Sequence, residues 1–416
     1  MFPSQSTGEK KNWSRAIILV DMNAFFASIE QLDHPEWRGR AVVVTNGQQG
    51  TCIITSSYEA RTYGIKTGMR LREARQLCRN LIQVPANPKR YVEVSRSIMA
   101  ALTTLTPDVE VFSVDEAFLD VTHCQLLHGS PERMALMAKQ LVYEASGLLC
   151  SVGVSGDKTT AKFAAKLEKP NGLVVIPPWE AKDRLRFVNV TELSGIKSGI
   201  GDFLQKHGAI QCGEVEKIPI SILAKRFGNL GRRIWYMCQG ADPDPVHTVV
   251  ANPKSMGHGK VMPPNTTNET IVETFLMHMC EKLGARLREY QFHAQHFFVG
   301  LLSHELGWLG ARGKMLQPTN DSKEIFNFAG FLIHQHWNGE PVSQIQVTAL
   351  DPSNEGLQMD FFTHGDDKRA LLYRVLDSIN DRFGEFTIAP ALMLNRSSMP
   401  NVIAPAWKPN GHRQTI

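Results

Sequence analysis

No run of apolar residues in this chain approaches the ~18 that a membrane-crossing helix needs, which excludes a helical span. Cysteine is sparse and scattered: the seven residues are odd in number and form no C-x-x-C pair. That excludes a disulfide framework and the common zinc modules, and the thiols are expected to be reduced. Residues 1–12 are polar without an apolar core, so no secretory leader is expected there. Net charge is small, +4 over 416 residues, too little by itself to argue for a polyanionic partner. There is no internal repeat. These absences point to a soluble, cytoplasmic protein, and the length points to several domains. With 43% hydrophobic residues the chain can bury real cores.

Charge is uneven where the total is not. Residues 181–235 hold ten Lys/Arg against five acids, a local net of +5, which suits a phosphate-facing module or a solvated basic surface. Acidity concentrates in Val109–Val121, VEVFSVDEAFLDV, where apolar and polar residues alternate on both sides of Asp115-Glu116. This is the period-2 pattern of a strand pair with two adjacent acids at its centre. A second strand, Ala16 to Val20, is apolar throughout and ends on Asp21. Any one of these acids alone reads as a turn former. Three carboxylates at strand ends repel one another and are costly to desolvate. Divalent cations such as Mg²⁺, which take oxygen ligands, remove both costs. A pair of them about 3.5–4 Å apart would clamp the attacking and leaving oxygens of a phosphoryl displacement.

Along the chain, residues 23–30 turn from strand into helix, 41–45 read as a strand, and 53–57 lead into a helix at 58–61. A helix is expected over 70–78, a break at Pro85 to Pro88, and a further helix over 92–105. Helices at 132–149 and 160–167 alternate with strands at 151–154 and 173–176. Pro177-Pro178 marks a boundary, 179–240 reads as mainly helical, and Pro243, Pro245 and Pro253 read as a linker. Strands are expected at 296–302 and 344–350, with helices at 270–290 and 367–383. Beyond Pro400 the chain reads as a tail. The fold class is α+β, with the three carboxylates on a sheet.

Five ordered stretches, ILVDMNAFFASIE (18–30), SSYEARTYGIKTGM (56–69), SVDEAFLDV (113–121), AKLEKPNGLVVI (165–176) and GNLGRRIWYMCQGADPDPV (228–246), resemble the Y-family DNA polymerases, most closely the bacterial DNA polymerase IV group. The resemblance implies a right-hand architecture: palm at 13–22 and 87–176, fingers at 23–86, helical thumb at 177–245, an α/β little finger at 254–362, and a C-terminal helix and tail at 363–416. It implies error-prone, template-directed addition of dNTPs to a primer on damaged DNA, by a monomer associated with the nucleoid. The implied cofactors are two Mg²⁺ per active site, with Mn²⁺ as a substitute.

The resemblance also implies residue roles. Asp21, Asp115 and Glu116 would ligate the metals, joined by the carbonyl of Met22. Phe26, beside Phe25, would be the steric gate against a ribose 2′-OH. Thr55, Tyr58, Arg61 and Lys169 would contact the triphosphate. Gly195, Ile196, Lys197 and Gly199 align with a helix-hairpin-helix that offers backbone N–H groups to a DNA phosphate. Here Ser194 stands for the usual Pro and Lys197 for a Gly, and Lys197 is strained if that position needs positive φ. Residues 251–350 carry eight basic and eight acidic residues, where a basic DNA clamp is expected. A local stripe of Lys254, Lys260, Arg286, Arg288, Arg312 and Lys314 could still hold DNA, with His258, His293 and His296 nearby. Gln358, Met359, Asp360, Phe361 and Phe362 resemble a sliding-clamp docking peptide and also fit a buried strand end; their place just after the last domain favours docking on the bacterial sliding clamp. Two competing readings are a non-catalytic scaffold linking clamp and partners, and another two-metal phosphoryl enzyme. Retention of all three carboxylates argues against the first. The fingers motif and the basic thumb argue against the second.

Overall fold

The apolar run at 16–20 lies at the centre of a five-stranded sheet. The computed structural model describes residues 13–47, 50–354, 366–394 and 396, in two units that divide at Val250 and Ala251. The first unit opens with β1 (Ile17–Met22), α1 (Phe25–Asp33), β2 (Val42–Thr45), β3 (Ile53–Ser56), α2 (Tyr58–Thr62), α3 (Leu71–Leu77) and β4 (Ile82–Pro85). It continues through α4 (Pro88–Leu102), β5 (Val109–Val111), β6 (Glu116–Asp120), α5 (Gln125–His128), α6 (Pro131–Ser146), β7 (Cys150–Ser155), α7 (Lys158–Leu167) and β8 (Leu173–Val175).

The main sheet has the order β5-β6-β1-β7-β8. All six residues of β1 are buried because both faces of the sheet are covered, so its sequence is apolar from Ile17 to Val20 instead of alternating, before Asp21 breaks the run. On one face Ile18 and Val20 share a core with Ile98 and Leu102 of α4 and Met134 and Val142 of α6. On the other, Ile17, Leu19 and Phe118 pack against Ala161 and Ala165 of α7. Gly153 permits that second contact: a Cβ there would lie 2.1 Å from the carbonyl oxygen of Ala161.

Strands β3-β2-β4 form a separate three-stranded sheet over a small core of Val43, Ile53, Ala60, Ile65 and Leu71. Helices α8 (Pro178–Leu185), α9 (Ser198–Lys206), α10 (Ile220–Phe227) and α11 (Asn229–Met237) enclose a third core around Leu193, Ile196, Leu204 and Ile234.

Two expectations change here. Pro88 opens α4 instead of breaking the chain: it occupies the first turn, where its missing N–H costs nothing, and Asn87 caps the helix by accepting from Arg90 N. The prolines at 243 and 245 do not belong to a free linker. Lys158 is buried and donates to Glu110 Oε2 at 2.7 Å, Asp244 Oδ2 at 2.8 Å and the Pro245 carbonyl at 3.2 Å. Arg233 grips Asp242 with two bonds, at 2.8 and 2.9 Å, and His247 N donates to Glu110. Segment 242–247 is therefore tied to the main sheet by charges that burial obliges to pair.

The second unit contains β9 (Met256–Thr266), α12 (Glu269–Glu289), β10 (Ala294–Ser303), β11 (Gly307–Thr319), α13 (Ser322–His336), β12 (Val342–Ala349) and α14 (Asp366–Phe383). Its sheet has the order β11-β10-β12-β9. Inward residues Phe297, Val299, Leu301, Ile345 and Val347 pack with Leu276, Leu283 and Ile325 from α12 and α13. Helix α14 docks on the same layer: Arg288 forks onto both carboxylate oxygens of Asp377 at 2.7 and 2.8 Å, with its guanidinium over the Tyr373 ring. Among the described residues, no helix is long and apolar enough to cross a membrane.

Candidate active site

Pairing of β1 with β6 sets the site. Asp21 stands directly opposite Glu116 in the antiparallel register, and Met22 N donates to the Asp115 carbonyl at 2.9 Å. Two successive strand residues point to opposite faces. The conflict is resolved because Asp115 lies in the turn and only Glu116 belongs to β6. Ser113 Oγ donates to Asp115 Oδ1 at 2.5 Å and fixes that carboxylate.

Two lysines reach the cluster. Lys169 Nζ lies 2.6 Å from Asp21 Oδ1, and Lys162 Nζ lies 2.7 Å from Glu116 Oε2. Lys162 also sits over the Phe112 ring at 4.2 Å. Three carboxylates thus face two ammonium groups. Burial, and then the charge of Glu116, pushes Asp21 up to about 7, and the same two causes raise Asp115. Positive charge is what this donor set lacks, and hard oxygen donors on rigid strands fit divalent cations.

Between β1 and α1 the chain passes through Ala24 in the left-handed conformation, φ 46° and ψ 47°. That turn starts α1 immediately after the site and places Phe25 and Phe26 in its first turn, both nearly buried. Phe26 stacks on Tyr91 of α4 with ring centroids 4.3 Å apart. Tyr91 in turn donates to Glu30 Oε1 at 2.6 Å.

On the small sheet, Thr55 lies in β3 opposite Val44. Tyr58 opens α2, with Arg61 one turn on and its guanidinium 4.5 Å from the Tyr58 ring centroid. Arg61 Nε donates to the Ser56 carbonyl at 3.1 Å. The Tyr58 hydroxyl is buried without a hydrogen-bond partner among the described residues, an orphan of the kind a ligand satisfies.

The glycine-rich turn before α9 needs no strain at Lys197. Gly195 takes the left-handed position, φ +90°, while Lys197 is extended at φ −107° and precedes the helix. Ile196 is fully buried in the helical core and anchors the turn.

The basic stripe expected in the second unit does not share one face. Lys260 and His258 lie on the same face of β9 as buried Met256 and Met262, so they point toward the helices. Arg288 is taken up by Asp377, and Arg286 is among the charges that act on His258. His293 pairs with Asn320, and His296 with Asp351. The face away from the helices carries Arg312 opposite Phe298 and Lys314 opposite His296, beside Gln344, Gln346 and Thr348. Lys254 is exposed ahead of β9. Residues 358–362 lie outside the described residues.

Sequence reading missed Lys162 and Tyr91. The only signal available for Lys162 was its place in α7, one helical turn beyond Lys158.

Known proteins resemble this chain over most of its length. The impB/mucB/samB family model matches residues 20–166, and that family's C-terminal domain matches 253–361. A DNA polymerase IV from Moorella thermoacetica is 35% identical over 388 residues, covering 91% of this chain and 96% of that one. One from Pelotomaculum thermopropionicum is 31% identical, covering 91% and 95%. A solved Y-family DNA polymerase chimera of Dbh and Dpo4 superposes with a TM-score of 0.69 at 28% identity, covering 81% of this chain and 98% of that one. The chain belongs to the impB/mucB/samB family, among the Y-family DNA-directed DNA polymerases.

Proposed function

We propose that this chain performs error-prone translesion synthesis, adding dNTPs to a primer 3′-OH opposite damaged template bases, in DNA damage tolerance. The observation that carries the reading is the cluster of Asp21, Asp115 and Glu116 on adjoining strand ends, short of positive charge. Those three carboxylates, with the Met22 carbonyl, would hold two Mg²⁺ ions. When bound, such ions lower the pKa of the primer hydroxyl and neutralise charge on the triphosphate and pyrophosphate.

The chain's own residues supply orientation. Lys169, Tyr58, Arg61 and Thr55 would hold the triphosphate, Tyr58 through its unpartnered hydroxyl and Arg61 through forked donors. Phe26, held flat on Tyr91, would close the space a ribose 2′-OH needs. In this reading the five-stranded sheet is the palm, residues 23–86 the fingers, α8–α11 the thumb, and the second unit the little finger. The turn at Gly195–Gly199 would bind a DNA phosphate through backbone N–H groups, and the outer sheet face with Arg312 and Lys314 would lie along the duplex.

The test is extension of primed templates with and without a bulky base adduct, given four dNTPs and Mg²⁺. The reading predicts full-length product on both, with terminal mispairs left in place. Extension confined to undamaged template contradicts it.

A further inference from the structure

Lys139 belongs to α6, outside the carboxylate cluster, and none of the roles above uses it. Its ammonium is ringed by four oxygens. The Asn171 carbonyl lies at 2.7 Å, Asn171 Oδ1 at 2.8 Å, the Cys150 carbonyl at 3.0 Å and the Gly172 carbonyl at 3.2 Å. An ammonium has three N–H donors, so all three are committed inside the protein. A lysine ordinarily sends its charge to water and keeps only its stem on the surface. Here the head is drawn in, and burial lowers its pKa below the ordinary lysine range.

Three of the four acceptors belong to one turn, residues 169–172. That turn is already constrained. Asn171 is left-handed at φ 58°, and a Cβ on Gly172 would lie 2.1 Å from the Glu168 carbonyl oxygen, so the chain doubles back on the end of α7. The fourth acceptor, Cys150, begins β7 and pairs with Met22 of β1. Lys139 therefore ties the turn to the strand beside the carboxylates. Lys169 leaves the same turn and places its Nζ 2.6 Å from Asp21.

We propose that Lys139 is a positioning residue for nucleotide binding: its ammonium pins the 169–172 turn against β7, so that Lys169 is presented to the triphosphate of the incoming nucleotide. Lys139 touches no reacting atom and acts through Lys169. The proposal rests on the reading of Lys169 as a triphosphate contact.

Single-nucleotide incorporation on primed DNA tests both, using the full chain, Lys139→Met, Lys139→Arg, Lys169→Ala and the double variant Lys139→Met/Lys169→Ala. Loss of a charge-assisted contact at Lys169 is expected to raise the KM for dNTP by about tenfold. Lys139→Met is expected to raise it about three- to tenfold with kcat and DNA affinity little changed, and Lys139→Arg to restore most of the loss. In the Lys169→Ala background, Lys139→Met is expected to add less than about twofold, because coupled residues are not additive. A folded Lys139→Met protein with unchanged KM overturns the proposal, as does an effect that multiplies fully with Lys169→Ala. An unchanged KM in Lys169→Ala itself overturns the Lys169 reading and the proposal with it, and locates the fault in that reading. Should Lys139→Met fail to fold, Lys139→Gln keeps a polar head with fewer donors and a shorter reach, too short to hold the turn and β7 together. It is expected to raise KM in the same direction, and no change overturns the proposal.

Discussion

At the residue scale, the site depends on groups that come from distant points in the chain and must neutralise one another. Lys162 lies 46 residues from Glu116 in sequence and 2.7 Å from it in space. Without that ammonium Glu116 loses its nearest positive charge and its fixed orientation. Lys162→Ala is expected to lower kcat about tenfold or more in primer extension while leaving the KM for dNTP within a few-fold, since orientation of a charged group is worth a few kcal/mol. Phe26→Ala is expected to raise rNTP incorporation by about two orders of magnitude relative to dNTP, because an apolar pocket rejects an added hydroxyl only weakly unless a side chain fills the volume that hydroxyl needs. Parallel reactions with each nucleotide on one template measure that ratio. The carboxylates were legible because acids at the ends of apolar strands break a pattern. Lys162 and Tyr91 were not, since each looks like an ordinary helix residue until the sheet brings α7 to Glu116 and α4 to Phe26.

At the element scale, periodicity located most helices and strands, and the errors have local causes. Strand β4 is only Ile82–Pro85 and its last residue is a proline, so the turn signal hid it. Its place in a parallel pair with β2 is set by tertiary contact alone. Helix α4 begins at a proline that looked like a breaker and is a helix start. The amphipathic segment at 367–383 had no evident purpose in the sequence, and the structure gives it one. As α14 it covers the helix layer of the second unit, held by the Arg288–Asp377 fork and by Arg369 on Asp321. Arg288 also donates to the Asn320 carbonyl at 2.9 Å. Arg288→Ala removes a largely buried, two-pronged contact and is expected to destabilise the protein by about 2–3 kcal/mol in urea unfolding. An unchanged midpoint would show that α14 contributes no stability through this pair.

At the scale of the whole molecule, charge placement matters more than charge total. Residues 251–350 carry eight basic and eight acidic residues, and several of the basic groups are turned inward, where His258 and His278 lie near Lys282. Burial, reinforced by neighbouring cations, pulls His258 down to about 3 and His278 to about 4. Above about pH 6.5 both imidazoles are neutral in folded and unfolded chains alike, so they cost nothing. As pH falls below 6.5 the unfolded chain takes protons that the folded chain refuses, and stability falls by about 1.4 kcal/mol per pH unit for each fully shifted histidine. Asp21, raised to about 7, acts in the opposite sense as pH falls, so the histidine loss is read as a difference: in thermal melts between pH 7 and 4.5, His278→Gln is expected to lose less stability on acidification than the intact chain. In the proposed reading, the outer sheet face with Arg312 and Lys314 would contact DNA phosphates. Removing either is expected to reduce the salt slope of DNA binding by about one, measured by titration at several ionic strengths.

The most direct test of the central claim, that Asp21, Asp115 and Glu116 form the catalytic centre, is extension of a primed template with dNTPs and Mg²⁺ by the intact chain and by Asp115→Ala. Template-directed product from the intact chain, reduced by at least about a thousandfold in a folded Asp115→Ala protein that still binds DNA, is the expected result. Comparable product from both would contradict it, because the reading makes Asp115, held in the β5–β6 turn, one of the carboxylates that bind the metals.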